Sequence, residues 1–324
     1  MALSLAACGS GETTTPPADS GDAGDGEPAA RTYTIGICQL VQHDALDAAT
    51  QGFKDAVVEA LGEGNVTFNE QNASGDSANC STICGQFVTE GVDLILANAT
   101  PALQAAKAAT GTIPVLGTSV TEYGVALGID GFTGTVGGNV SGTSDLAPLD
   151  QQAAMIYELF PDAETVGLIY CSAEANSQYQ VDTVKAELEK LGYTCELYPF
   201  ADSNDAAAVT QTACDASDVI YLPTDNTVAS NTGIVDNICQ PAGVPVVAGE
   251  EGIVKGCGVA TLSISYYDLG VTTGKMAAQI LTGEADISSM PIAYAEDFTP
   301  KYNPVICEAL GLTMPENYVA IDME

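Results

Sequence analysis

The residues best suited to chemistry in this chain are small, polar and regularly placed. Thr224, Asp225 and Asn226 follow the apolar run Val219–Leu222. Gln39 ends an earlier apolar run, Asn98 and Thr100 follow VDLIL, and Thr118 and Ser119 follow IPVLG. Ser172, Glu174 and Asn176 follow TVGLIYC, Glu250 and Glu251 follow VPVVAG, and Ser265 and Tyr266 follow GVATLSI. Hydroxyls, amides and carboxylates in such places can hydrogen-bond a small molecule. An acid such as Asp225 can pair with a ligand ammonium, or it can cap the helix that starts behind it, because Asp is a favoured N-cap. Its spacing leaves both roles open. His43, the only histidine, lies just after the first strand and reads as structural or as a hydrogen-bonder at a cleft edge. No nucleophile motif, metal-ligand set or phosphate loop is present, which argues against an enzyme and against a metal or organic cofactor.

Basic residues are scarce where these polar sets fall. Lys54, Lys107, Lys185, Lys190 and Lys275 lie within or late in helical patterns, Lys301 is near the C-terminus, and Lys255 is in a late loop. A ligand carboxylate would therefore be held by backbone N–H groups at helix starts and by Ser/Thr hydroxyls. That suits one carboxylate and argues against phosphates and dicarboxylates. The chain has no Trp, which counts against a sugar site built on indole stacking. Asp225 and Glu250 offer negative charge to an ammonium. A zwitterionic amino acid fits this set of groups.

The elements that must position these groups repeat. The pattern predicts strands over 34–40, 65–71, 92–98 and 113–117, with helices over 45–61 and 77–90 and another starting at Pro101. A glycine-rich stretch over 123–142 is less regular. The repeat then restarts with helices over 149–160, 177–191, 204–216 and 267–281, and another from about Thr227. Strands are predicted over 165–171, 193–200, 219–222, 244–249 and 258–264. Gly192 and Gly283 are expected helix stops. Strand, polar turn and helix in alternation predict an α/β fold with parallel sheets and right-handed crossovers. Two such runs predict two lobes, with the polar sets on facing sheet edges of an inter-lobe cleft.

The chain is 324 residues long and 46% hydrophobic, enough for two cores. It carries 8 Lys+Arg against 43 Asp+Glu, a net charge of −35. Nucleic acid is therefore not an expected partner, since phosphates are neutralised by clustered Lys and Arg. No apolar run reaches the roughly 18 residues of a membrane span. Of ten cysteines, Cys8 falls in Leu5-Ala6-Ala7-Cys8-Gly9, which looks like a bacterial lipobox with a shortened signal sequence before it. The polar stretch 9–30 reads as a disordered acidic tether. The other nine are Cys38, Cys80, Cys84, Cys171, Cys195, Cys214, Cys239, Cys257 and Cys307. They can be small buried hydrophobes, or disulfide partners outside the cytoplasm, with Cys239–Cys257 as one candidate pair.

Several segments in order carry a family resemblance: IGICQLVQHDALDAATQGFKDAV, NATPALQAA, GTSDLAPLDQQAAMIYELFPDAETVGLIY, AEANSQYQVDTVKAELEKLG, YLPTDNTVAS and YYDLGVTTGKMAAQIL. Over about 33–314 the chain resembles the solute-binding lipoproteins of bacterial ABC importers, in the group associated with tryptophan and other aromatic amino acids. The resemblance implies a type I periplasmic-binding-protein fold: two Rossmann-like lobes joined by three hinge crossings that close on ligand. Lobe 1 would comprise 33–141 plus 265–291 and lobe 2 would comprise 142–264 plus 292–324, behind a signal remnant and tether over 1–32. Crossings are expected near 140–145, 263–265 and 292–298. It also implies an amino-acid ligand, an ABC permease and its ATPase as partners, and an extracytoplasmic location with a membrane anchor through lipid on Cys8. Gln39, Thr100 and Ser119 would face the cleft from lobe 1, with Asn176, Asp225 and Glu250 facing from lobe 2. Asp225 would take the ligand ammonium, and Thr100 and Ser119 the carboxylate. A sensory binding protein that feeds a receptor is the alternative reading.

Overall fold

The computed structural model describes residues 31–295 and 297–323. The expected lipobox at Cys8 and the tether over 9–30 lie outside the described residues. From Thr32 the chain forms one unit built on two sheets. The first run comprises β1 (Tyr33–Gln39), α1 (Asp44–Leu61), β2 (Val66–Asn72), α2 (Ser77–Glu90), β3 (Leu94–Asn98), α3 (Thr100–Ala109), β4 (Val115–Val120), α4 (Tyr123–Leu127) and β5 (Val140–Ser144). The second comprises α5 (Leu149–Leu159), β6 (Thr165–Cys171), α6 (Ala175–Leu191), β7 (Thr194–Phe200), α7 (Ser203–Ala216), β8 (Val219–Leu222), α8 (Asn226–Ala229), α9 (Thr232–Ala242), β9 (Val246–Ala248), α10 (Glu251–Cys257) and β10 (Ala260–Ser263). The chain then returns through α11 (Tyr266–Thr282) and β11 (Ala293–Tyr294), and ends with β12 (Thr299–Tyr302), α12 (Pro304–Ala309) and β13 (Val319–Ala320).

The first sheet has the order β11-β5-β4-β3-β1-β2 and the second β13-β12-β10-β9-β8-β6-β7. Alternation along each strand builds two cores per sheet. In the first sheet Ile35, Ile37, Leu94 and Leu96 meet Phe53, Val57 and Met276 of α1 and α11. Cys38, Ile95 and Ala97 meet Phe87 and Leu103 of α2 and α3 on the other face. Each fully buried side chain of this size contributes roughly 1.5–3 kcal/mol. The second sheet repeats the plan. Leu168, Tyr170 and Tyr221 face α5 and α6, while Ile169, Ile220 and Leu222 face α7, α9 and α10.

The return of α11 to the first sheet depends on close backbone approach. A Cβ on Gly52 would sit 2.1 Å from the Tyr267 carbonyl oxygen, and one on Gly270 would sit 2.0 Å from that of Ala49. Only glycine permits this crossing. The Thr118, Thr143 and Thr273 hydroxyls then tie β4, β5 and α11 together in a buried cluster, at 3.2, 2.8 and 3.2 Å. Gly192 and Gly283 end α6 and α11 in the left-handed conformation, as their positions suggest.

Several elements differ from the expectation. The irregular stretch 123–142 holds α4 and the start of β5. The helix expected from about Thr227 is split into α8 and α9, and α10 was not anticipated. The second sheet is not wholly parallel, because β12 pairs antiparallel with β10. Strand β10 ends at the point where the chain leaves this sheet, and β12 begins where it re-enters, so the two run in opposite directions. The first sheet takes in 140–144 and 293–294, beyond the expected lobe 1 limits of 141 and 291. The nine described cysteines are all free thiols. Cys239 has its sulfur against Cys214 rather than Cys257, whose own thiol donates to the Ile253 carbonyl on its helix.

Candidate functional site

The chain passes between the sheets at 144–149, 263–266 and 294–299, and beside these passages lies an enclosed cavity. Its free volume is about 10 Å³, the space of roughly one water. His43, Ser119, Thr121 and Asp145 line it from loops and strand ends of the first sheet, with Leu46 from the first turn of α1. Asn176, Thr224 and Asn226 line it from the second, and Tyr266 closes it at the start of α11.

Four buried polar atoms in this lining have no hydrogen-bond partner among the described residues: His43 Nδ1, Ser119 Oγ, Asp145 Oδ1 and Asn176 Oδ1. Each such atom costs about 1–3 kcal/mol while it stays unpaired. Their convergence marks a place where a ligand can supply the missing partners.

The roles of these atoms are set by the groups behind them. Glu174 is buried, and its carboxylate accepts from the backbone N–H and side-chain amide of Asn226, at 3.1 and 2.7 Å. It also accepts from the Thr227 N–H and hydroxyl, at 2.9 and 2.8 Å. Because the Asn226 Nδ2 donates to Glu174, its Oδ1 is the acceptor that meets His43 Nε2 at 3.3 Å. His43 thus donates from Nε2 and presents Nδ1 to the cavity as a lone pair. Burial pushes the His43 pKa down, which keeps the ring neutral. Asn176 Nδ2 donates to the Thr224 carbonyl at 3.0 Å and to Glu174 at 3.3 Å, which leaves its Oδ1 as a second acceptor. Asp145 Oδ2 accepts from the Tyr266 hydroxyl at 2.9 Å, and Oδ1 is the third acceptor. Burial pushes the Asp145 pKa up, and the Tyr266 hydrogen bond acts against it. Ser119 sits at φ 54°, where the β4–β5 register shifts between Gly117 and Val120. A non-glycine residue there carries backbone strain, as functional positions often do. Three acceptors and one hydroxyl match the three N–H donors of an ammonium group plus one further polar group.

Of the six residues expected to bind, the cavity brings together Ser119 and Asn176. Gln39 donates to the Val41 carbonyl and to Asp47 Oδ1, at 3.0 and 2.6 Å, and accepts from Thr50 Oγ1 at 2.6 Å. It holds the turn into α1. Thr100 is buried in the first turn of α3 and does not line the cavity. Asp225 Oδ1 accepts from the Val228 N–H at 2.9 Å as the N-cap of α8, and Oδ2 accepts from the Cys171 N–H at 2.7 Å. Burial and the nearby Glu174 charge push its pKa up to about 7. Glu250 caps α10 with both oxygens, from Gly252 and Ile253 N–H at 2.7 and 2.6 Å, and burial pushes it to about 7. Both of these acids use their oxygens on backbone and lie outside the cavity lining. Sequence reasoning missed Asp145 and Thr121 as cavity residues, and it put Asn226 on the cleft edge without counting it among the binding residues. The one available signal for Asp145 was an acid directly after a polar strand, in a stretch that showed no apolar run.

A wider groove of about 650 Å³ lies outside, lined by Leu40, Val41 and Gln42 from one side and by Glu174, Asn226 and Thr227 from the other. Asn226 lines both spaces, so its contact with His43 forms part of the wall between groove and cavity. Among the described residues no three or more His, Cys, Asp or Glu side chains are gathered to hold a metal ion, and no helix is long and apolar enough to cross a membrane.

Comparison with known proteins matches residues 34–323 to the family model of ABC transporter substrate binding proteins. A tyrosine-binding protein of Clostridioides difficile (strain R20291) is 34% identical over 280 residues, 86% of this chain and 81% of that protein. The crystal structure of an ABC domain from Streptococcus pneumonia in complex with L-Trp shares 34% identity at a TM-score of 0.84, covering 88% of this chain and 96% of that one. A ligand-free, open substrate-binding protein with adhesive properties from Clostridium difficile shares 37% identity at a TM-score of 0.69, covering 90% of this chain and all of the other. The architecture is thus the two-lobed type I periplasmic-binding-protein fold. A leucine-binding protein of Thermotoga maritima at 13% identity and a TM-score of 0.61 shares the fold alone.

Proposed function

The chain belongs to the ABC transporter substrate binding protein family, and from that premise we propose that it captures an amino acid, of the aromatic class, for an ABC importer. The observation that carries this reading is the set of acceptors left over in one enclosed cavity: Asp145 Oδ1, Asn176 Oδ1 and His43 Nδ1, beside the Ser119 hydroxyl. Asp145, Asn176 and His43 receive the ligand ammonium, and Ser119 donates to its carboxylate. The aromatic class rests on the relatives, one named for tyrosine and one crystallised with L-Trp.

The two sheets are the cores of two lobes, and the three passages between them are the hinge. A cavity of about 10 Å³ is far smaller than an amino acid. Ligand therefore enters an open form, and the bound form stands wider than this structure by the ligand's volume. The higher likeness to the L-Trp complex than to the open relative, 0.84 against 0.69, supports reading this arrangement as near-closed. The protein works outside the cytoplasm with a permease and its ATPase. The Leu5–Gly9 segment anchors it through lipid on Cys8, so Cys8→Ser moves a signal-bearing chain from the membrane fraction to the soluble one.

A thermal-shift screen of the twenty amino acids tests the reading. A true ligand at 100 times its dissociation constant stabilises by about 2.7 kcal/mol, and tyrosine or tryptophan is expected to give the largest shift. A screen in which no amino acid moves the melting midpoint would remove the proposal.

A further inference from the structure

The sulfurs of Cys214 and Cys239 lie 2.9 Å apart, with both side chains buried against Val246, Val254 and Cys257. Cys214 sits near the end of α7 and Cys239 near the end of α9. A disulfide holds its sulfurs at about 2.0 Å, so a sub-ångström shift of two side chains would form one. Cys257, the partner suggested by sequence, instead directs its thiol to its own helix. We propose that Cys214 and Cys239 form a structural disulfide when the protein meets an oxidising small disulfide outside the cytoplasm.

Either thiol of the pair can donate to the other, and whichever gives up its proton first attacks the oxidant as the thiolate. Its sulfur bonds to one sulfur of the oxidant, and the other half leaves as a thiolate that takes a proton. The second cysteine then gives up its proton and attacks the sulfur of the first, releasing the second half as a thiol. Two protein S–H bonds become one S–S bond, and the oxidant's S–S bond becomes two S–H bonds. Because the pair is buried, the exchange takes place during folding or on local opening of α7.

The linked segment gives the bond its importance. Residues 214 and 239 bracket β8, the turn after it and α8; Thr224 of the cavity wall lies in that turn and Asn226 starts α8. The bond would restrict the unfolded chain over this segment and stiffen one lip of the cleft.

The test uses the full chain, reduced and then incubated with oxidised glutathione, blocked with an alkylating agent and cut before aspartate. Cuts at Asp215, Asp218, Asp225 and Asp236 separate the two cysteines. The expected result is a linked Cys214–Cys239 peptide pair that disappears on reduction, with the oxidised protein melting several degrees higher. Cys214→Ala and Cys239→Ala should each abolish the link, and Cys257→Ala should retain it. Recovery of both thiols unlinked after native oxidation overturns the proposal, as does a Cys239–Cys257 link or glutathione held permanently on either thiol of the pair. None of these readouts depends on the ligand, so they stand apart from the amino-acid reading.

Discussion

Asp145 and Asp225 are both buried carboxylates beside the same cavity, and they end in opposite conditions. Asp225 sits at a helix start, and its two oxygens take the Val228 and Cys171 N–H groups. Asp145 follows a strand with no helix behind it. Tyr266 takes one oxygen and the other is left over. A strand-end acid is thus a binding residue only if the backbone around it makes no prior claim. The same contrast separates Asn176, with a spare oxygen, from Glu250, which caps α10 with both of its own.

The largest expected effect of that contrast is on affinity. Asp145→Asn keeps the size and removes the charge. Truncating one partner of a buried charge pair costs roughly 2–5 kcal/mol, about 30-fold to several thousand-fold in dissociation constant. Asp225→Asn should bind within threefold of the parent by titration calorimetry. If the losses came out reversed, the assignment of roles to the two acids would be reversed with them.

Stability as a function of pH sharpens the same comparison. Folded Asp225 and Glu250 hold their protons to about pH 7, against ordinary values of 3.8 and 4.5. Between those limits the folded state carries more protons than the unfolded one, so stability falls as pH rises toward 7. The ligand-free protein should therefore melt higher at pH 5.5 than at pH 7.5, on the order of a few kcal/mol in total. Replacing Glu250 by Gln should flatten part of that slope, and an unchanged slope would deny Glu250 its share of it.

A smaller effect concerns stability at fixed pH. Asp225→Ala leaves the Cys171 and Val228 N–H groups without their acceptors, and a lost cap costs about 1 kcal/mol while an unpaired buried donor adds about 1–3 kcal/mol. The smallest loss of affinity concerns Glu174, which turns the amides of Asn176 and Asn226. Glu174→Gln keeps one acceptor oxygen, so affinity should fall by about tenfold, the equivalent of roughly 1.4 kcal/mol, and the donors that faced the other oxygen should lower stability by about 1–3 kcal/mol each. An affinity equal to the parent's would mean the amides are oriented without it.

The two sheets were legible because apolar runs such as Val219–Leu222 and the helical stripe Leu46, Ala49, Phe53, Val57 report burial directly. So were the stops at Gly192 and Gly283. Of the site, Ser119 and Asn176 were legible as polar groups behind strands. Asp145 was hidden because β5 reads VSGTS, whose buried hydroxyls are satisfied by Thr121 and Met290 carbonyls and by Thr273 rather than by apolar packing. Asp225 could not be read as an acid held on both oxygens, because its second backbone partner is the Cys171 N–H, 54 residues away. His43 showed its partner, Asn226, only when the second sheet came within reach.

The pairing of Asp145 with a ligand ammonium is tested most directly by a cycle that removes each partner in turn. The parent and Asp145→Asn would each be titrated with the amino acid identified by screening and with its analogue lacking the amino group. If the two groups pair, the parent should lose at least about 30-fold on deletion of the amino group, while the variant should lose little. The coupling between them should then be about 2 kcal/mol or more. Equal losses in both proteins, with a coupling within about 0.5 kcal/mol of zero, would contradict it.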